Sequence, residues 1–180
     1  MNKLEKMSSL ATAAVVSLAA WAPLAHAGHL NTVLQTTLDG REQVDTNAVS
    51  NAMVGDPNGR GEAYVFGIDG TTTTLCYTIV GVKKVAELNL APGNGRAAHI
   101  HEGARGSNGP VVANLAWPQD GQAGDCISET QGTAKFPTAE AGIVQRILKN
   151  PKSFYINIHN TVYPNGAVRG QLSDTADHAH

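Results

Sequence analysis

Short runs of alternating apolar and polar residues, separated by turn residues, dominate the chain after residue 30. Such alternation predicts strands, because successive side chains of a strand point to opposite faces. The predicted strands are residues 30–38, 62–68, 72–80, 85–90, 97–102, 111–115, 153–160 and 167–172. Many short strands spaced about ten residues apart are typical of an antiparallel sandwich or barrel.

The segments between these strands are rich in Gly, Asn, Asp and Pro, which supply the backbone angles of tight turns. Asp69-Gly70 lies between two predicted strands and predicts a hairpin. One segment has a different period. Residues 138–149 place apolar side chains at helical spacing, behind a capping Thr138 and ahead of Pro151. We therefore predict an all-β antiparallel sandwich or barrel with one short helix.

The N-terminal residues have the features of a secretory signal peptide. Lys3 and Lys6 precede an apolar run over residues 10–20, and Ala25-His26-Ala27 fits the small-x-small cleavage rule. The alternative is a membrane anchor, but the run is shorter than the roughly 20 residues that span a bilayer. We predict a signal peptide over residues 1–27, a β domain over 28–173, and a flexible histidine-containing tail over 174–180. The protein would then be exported, to a periplasmic or extracellular location.

Composition and charge narrow the class of protein. The chain has 180 residues, 42% of them hydrophobic and 16% charged, with a formal net charge of −2. This length and apolar content suit one globular domain. The low charge and the lack of a long apolar run beyond the extreme N-terminus argue against a disordered chain and a multi-spanning membrane protein. A nucleic-acid-binding face normally carries a clustered excess of Lys and Arg, which this balance does not favour.

Cys76 and Cys126 are the two cysteines of the chain. An even pair in an exported protein predicts a disulfide, since that compartment is oxidising. The competing interpretation is that they are thiolate ligands of a metal ion.

Three histidines form the strongest chemical pattern. His99-Ile100-His101 places two imidazoles on the same face of a strand, with Cα atoms roughly 6.5 Å apart. His159 ends another alternating strand, with the apolar Ile156 and Ile158 on the opposite face. If the two strands are neighbours, His159 lies within cross-strand reach of the pair. The pattern predicts a metal site outside the core formed by His99, His101 and His159.

The donor set indicates which ion such a site would hold. Imidazole-only ligation suits copper, zinc or nickel, and the Irving–Williams order favours copper among divalent ions. We therefore expect copper, with zinc as the alternative. His29 is a candidate fourth ligand, because it lies just before the first predicted strand. His178 and His180 are interpreted as incidental or as a weak metal-capturing arm. The alternative for all of these histidines is that they lie on the surface and bind no metal.

Two further features adjoin the histidines. Residues 103–110 form a glycine-rich segment that lacks the Gly-Lys-Ser/Thr ending of a phosphate-binding loop, so we expect a tight loop that packs over the histidines. Arg169 is a charged residue within a strand-like segment. Its expected role is structural, paired with Glu102 or a tail carboxylate; the alternative is that it guides a small anion, such as superoxide, to the metal.

Several spaced motifs resemble the CHRD domain, first named from chordin. They are residues 38–44 (LDGREQV), 98–103 (AHIHEG), 108–112 (NGPVV), 155–160 (YINIHN) and 166–172 (GAVRGQL), and the likeness extends over residues 34 to 172. The resemblance implies an extracellular all-β domain. In chordin-like animal proteins the context of this domain is the binding of secreted growth factors.

The metal motif also resembles that of copper–zinc superoxide dismutases, which combine a Greek-key β-barrel, an internal disulfide and copper on the outer face of the barrel. This resemblance implies Greek-key connectivity, His99, His101 and His159 as copper ligands, and Arg169 as the residue that guides the anion. A histidine-rich zinc loop and a bridging histidine are missing from the sequence, so a copper-only centre is expected.

Two classes of function follow. In the first, the domain is an exported copper-binding protein with one histidine-ligated site, which acts on superoxide or handles copper. In the second, it is a non-catalytic extracellular module that binds proteins or has a structural role.

Overall fold

The regular structure of the chain consists mainly of strands. The computed structural model describes residues 33–45, 54–68, 73–83 and 97–174. Within these ranges the strands are β1 (Val33–Asp39), β2 (Arg60–Gly67), β3 (Thr74–Lys83), β4 (Ala98–Glu102), β5 (Val111–Leu115), β6 (Ala123–Ser128), β7 (Phe154–Ile158), β8 (Val168–Gln171) and β9 (Ser173–Asp174), and the helix is α1 (Ile143–Lys149). None of the helical segments within these ranges has the length and apolar character needed to cross a membrane.

The strands form one antiparallel sheet that curls into a nearly closed barrel. Their order is β5-β4-β7-β8-β1-β2-β3-β6, and β9 pairs with β1 beside β8. The prediction of an all-β antiparallel barrel with one short helix is therefore confirmed. Greek-key connectivity stays a prediction.

The two end strands, β5 and β6, are linked by the segment that follows β6. In β5, the backbone N–H of Asn114 donates to the carbonyl of Lys135 at 2.7 Å, and its side-chain amide donates to the carbonyl of Ala134. The Tyr77 hydroxyl on β3 accepts from the backbone N–H of Ala116, just after β5. These bonds satisfy part of an otherwise open sheet edge.

The inner face of the barrel holds a single hydrophobic core. Alternate residues of each strand point into it, as their complete burial shows: Leu34 and Leu38 on β1, Ala98 and Ile100 on β4, Ile156 and Ile158 on β7. α1 adds the buried side chains of Ile143, Val144, Ile147 and Leu148 to the same cluster. The outer face is consequently where the intervening side chains of β4, β7 and β8 lie.

Most predicted strands match the structure closely, and residues 111–115 coincide with β5. β6 was not predicted, because its sequence AGDCIS combines residues of low strand propensity. The ladder to β3 forms it instead, in register from Ser128 to Ala123. The predicted strand over 85–90, the Asp69-Gly70 turn, the signal peptide over 1–27 and residues 175–180 of the tail lie outside the described residues. Asp174, the first residue of the predicted tail, belongs to β9.

The helix begins later than predicted. Instead of a cap at Thr138, Ala139 has φ of 52° and Gly142 has φ of 80°, and these left-handed residues are incompatible with a continuous helix from 138. The first turn of α1 is capped from a distance: the Glu129 carboxylate accepts from the backbone N–H groups of Gly142 and Val144, both at 2.9 Å. A carboxylate at this end also complements the helix dipole.

The disulfide joins Cys76 and Cys126, which face each other across β3 and β6. The prediction of a disulfide is therefore confirmed, and the thiolate-ligand interpretation is wrong because both sulfurs are used in the bond. The bridge fastens β6, a strand of low intrinsic propensity, to the neighbouring strand β3.

We expect the loss of this disulfide to lower the free energy of unfolding substantially. The bridge closes a loop with a sequence separation of 50 residues. The chain-entropy model gives a stabilisation of roughly 4 kcal/mol for a loop of this length. The double variant Cys76→Ala/Cys126→Ala should therefore show a thermal midpoint roughly 10 °C below wild type in circular dichroism. An unchanged midpoint would contradict a stabilising role.

Candidate metal centre

The three predicted histidines lie together on the outer face of two neighbouring strands. His99 and His101 alternate with the buried Ile100 on β4, and His159 directly follows β7. Its backbone N–H donates to the carbonyl of Ala97 at 2.7 Å, so the ladder between the two strands continues to this residue. We call His99, His101 and His159 the His cluster.

The rings of the His cluster are close enough to share one ion. Their centroids are 5.6 Å apart for His99 and His101, 5.2 Å for His99 and His159, and 6.4 Å for His101 and His159. One nitrogen from each ring lies within 4.8 Å of those of the other two. Two nitrogens bound to one ion at about 2.1 Å are at most about 4.2 Å apart. Small side-chain rotations would therefore be enough for all three to bind the same cation.

Backbone carbonyls fix the orientation of two of these rings. Nδ1 of His101 lies 2.9 Å from the carbonyl oxygen of Gly109, and Nδ1 of His159 lies 2.9 Å from that of Pro164. Because a carbonyl oxygen only accepts, each Nδ1 carries the hydrogen and each Nε2 carries a lone pair. Nε2 of both rings is buried and has no hydrogen-bond partner among the described residues. A carbonyl bonded to the far nitrogen is the arrangement common to metal-ligating histidines.

Burial keeps these imidazoles neutral. It lowers the pKa of His101 to about 4, and the hydrogen bond to Gly109 offsets only part of this effect, while the nearby His159 and Arg169 lower the pKa further. Burial also lowers the pKa of His159, against the opposing effect of its bond to Pro164. A neutral imidazole is the form that binds a metal ion.

The glycine-rich loop (residues 103–110) packs against His101, one member of the cluster. The backbone N–H of Gly109 donates to the Tyr155 hydroxyl at 3.2 Å, while the carbonyl of the same residue accepts from His101. The Tyr155 ring stacks on that of His101, with centroids 4.9 Å apart and planes at 9°. The three histidines themselves are half-buried.

Arg169 lies under the same loop. It is 2% exposed, and its guanidinium carbon lies 3.4 Å from the centroid of the Tyr155 ring. Its N–H groups donate to the side chain of Asn108 and to the carbonyls of Ala104 and Ser107. The expected pairing with Glu102 is wrong: Glu102 binds Arg146 through both carboxylate oxygens.

The other candidate ligands are not brought to the cluster by any described contact. His29, His178 and His180 lie outside the described residues. The disulfide joins β3 and β6, neither of which pairs with β4 or β7. Sequence analysis missed Tyr155, Gly109 and the carbonyl of Pro164. Strand parity places Tyr155 on the histidine face, but nothing in the sequence indicates which carbonyls the loops present.

The comparisons with known proteins identify the family. The family model of the CHRD domain matches residues 34–172. The chain therefore belongs to the CHRD domain family, as its motifs suggested. Searches of curated proteins and of solved structures gave no match.

We expect the stability of the metal-free protein to fall as the pH drops from 6.5 to 4. The unfolded chain takes up a proton on His101 near pH 6.5, whereas the folded protein does so near pH 4. Between these values the unfolded state binds more protons, so protonation favours unfolding. Thermal unfolding at several pH values should show a steeper decline for wild type than for His101→Gln. Equal slopes would mean that His101 is not held neutral by the fold.

Proposed function

We propose that this domain binds one transition-metal ion through His99, His101 and His159, with copper as the ion, and that its role is copper handling outside the cytoplasm. The observation that carries the proposal is the convergence of three imidazoles within 4.8 Å, two of them already oriented by carbonyls. A ligand set that needs little rearrangement loses little entropy when the ion binds.

The donor chemistry supports copper over other ions. The three candidate ligands are imidazole nitrogens, and both cysteines are in the disulfide, so a thiolate ligand is not provided. Hard ions such as Mg²⁺ and Ca²⁺ take oxygen ligands, whereas imidazole suits copper, zinc and nickel. Among the divalent ions, the Irving–Williams order puts copper first. Zinc is the second ion to test, and His29 is the candidate fourth ligand.

The surroundings of Arg169 favour copper handling over dismutation of superoxide. An arginine that guides an anion needs its guanidinium exposed on the approach to the metal. Arg169 is 2% exposed, and its donors are used by the glycine-rich loop. A superoxide assay on the copper-loaded protein tests the dismutase hypothesis. The hypothesis predicts that the protein dismutates superoxide faster than the same amount of free copper does.

Two features support a compartment outside the cytoplasm. A disulfide persists in oxidising surroundings, and Cys76 and Cys126 form one. Family membership is consistent with a secreted domain. We therefore propose that the protein is exported to the periplasm or beyond, with the signal peptide removed after Ala27.

Titration of Cu(II) into the tag-free protein should give tight binding at one ion per chain. His99→Ala and His159→Ala should each weaken it on the order of 100-fold or more, since the loss of an outer-shell partner alone costs 10- to 100-fold. Affinity is measured by competition with a chelator, and nitrogen hyperfine coupling in electron paramagnetic resonance reports the imidazole ligands.

The matched control is His178→Ala/His180→Ala, which removes two tail histidines and leaves the cluster intact. It should retain tight binding, and His29→Ala in that background tests the fourth ligand. Equal weak binding by wild type and the cluster variants would contradict the proposal. That result would favour the alternative, a non-catalytic module that binds proteins or has a structural role.

Export is tested separately by fractionation and N-terminal sequencing. We expect the mature chain to begin at Gly28 and to be found outside the cytoplasm, because cleavage follows Ala25-His26-Ala27. An intact N-terminus in the cytoplasmic fraction would contradict this.

A further inference from the structure

We propose that Arg169 is a positioning residue for His101, acting through the glycine-rich loop rather than on any ligand directly. Its importance for metal affinity rests on the proposed function, whereas its effect on the His101 ring does not. The inference starts from a buried cation that has no salt bridge to a carboxylate among the described residues but donates to three groups of one loop.

The contacts of Arg169 determine the path of the loop. One terminal nitrogen donates to the Asn108 side chain at 3.2 Å, and the other donates to the carbonyls of Ser107 at 2.7 Å and Ala104 at 3.3 Å. These acceptors lie on both sides of the turn at Gly106, which has φ of 79°. A planar guanidinium can hold several acceptors in one fixed geometry, which the ammonium of lysine does not do.

The residue that follows this constrained segment of the loop, Gly109, contacts His101. Gly109 follows Asn108 directly, and its carbonyl accepts the Nδ1 hydrogen of His101 at 2.9 Å. A Cβ built on Gly109 would lie 1.7 Å from the carbonyl oxygen of Glu102, so the backbone sits against the end of β4 with no room for a side chain. The carbonyl that sets the tautomer of His101 therefore depends on the path of residues 104–108.

The ring of Tyr155 contacts both His101 and Arg169. It lies on β7, between β4 with His101 and β8 with Arg169. Its ring stacks on His101 and is in contact with the Arg169 guanidinium, while its hydroxyl accepts from Gly109. The three side chains and the loop thus form one assembly that limits rotation of the His101 ring.

The first test uses the metal-free protein and needs no copper. Long-range proton–nitrogen spectra of the imidazole should show His101 in the Nδ1–H tautomer in wild type. In Arg169→Gln the tautomer should be mixed, because the carbonyl of Gly109 is no longer held in place. A wild-type tautomer in the variant would overturn the proposal, whether or not the protein binds copper.

The second test compares copper affinities. Arg169→Gln and Arg169→Lys should both bind about 10- to 100-fold more weakly than wild type, as expected for an outer-shell partner. Rescue by lysine would overturn the proposal, since charge rather than the guanidinium geometry would then matter. The control Leu172→Ala destabilises the neighbouring core without touching the loop, and it should retain wild-type affinity. An equal loss in this control would show that only general stability is involved.

A second pair of variants covers the case in which Arg169 variants do not fold. Gly109→Ala forces the backbone away from Glu102 and should reduce copper affinity by a similar factor, with the same change of tautomer. Ser107→Ala keeps the carbonyl that Arg169 binds and should behave like wild type. Wild-type behaviour in Gly109→Ala would overturn the proposal. If wild type binds no copper, the proposed function fails, and the tautomer measurements alone decide the role of Arg169.

Discussion

Polar side chains that a loop buries against a sheet have to find partners, because an unsatisfied buried donor or acceptor costs about 1–3 kcal/mol. The outer face of β7 and β8 meets this constraint for most of its side-chain donors. Gln171 donates to the carbonyls of Gly103, Lys152 and Phe154, and Asn157 accepts from Gln43 at 2.6 Å. The buried Nε2 atoms of His101 and His159 have lone pairs and no described donor, as does Oε1 of Gln171. The imidazoles differ from Gln171 in that they converge with His99 on one point. A cation is the partner that three converging imidazoles are suited to.

Glycine makes this close covering of the outer face feasible. A Cβ at Gly109 would overlap the carbonyl of Glu102, and one at Gly166 would lie 2.6 Å from the Asn157 side chain. Both positions bring a loop backbone into direct contact with the sheet, one beside His101 and the other in the turn that follows His159. The carbonyls of Gly109 and Pro164 reach the imidazoles because the backbone of these loops lies directly against the sheet.

How much the sequence predicts depends on whether a feature is local. The parity of His99, His101 and Tyr155 follows from strand alternation, and residues 111–115 form β5 as predicted. Features that depend on distant partners were missed or misplaced. β6 is held by β3, and the start of α1 is capped by Glu129, which lies 13 residues before Gly142 in the chain.

Arg169 is a similar case. The sequence shows an arginine in a strand, but its acceptors are 61 to 65 residues away in the chain. The pairing expected with Glu102 was reasonable from charge alone, yet Arg146 of α1 lies closer to that carboxylate. No local pattern distinguishes an arginine that binds carbonyls from one that binds a carboxylate, so its role emerges only from the three-dimensional packing.

In the candidate site, the strands fix the positions of the side chains, and the loops fix the orientation of the imidazole rings. His99 and His101 on β4, Tyr155 on β7 and Arg169 on β8 lie on three adjacent strands, and the ladders fix their spacing. The loops contribute carbonyl groups, which determine the rotation and tautomer of the rings rather than their positions. A site built on strands keeps its dimensions when loops fluctuate. The disulfide joins β3 and β6, which pair with none of these three strands, so it stabilises the barrel without taking part in this arrangement.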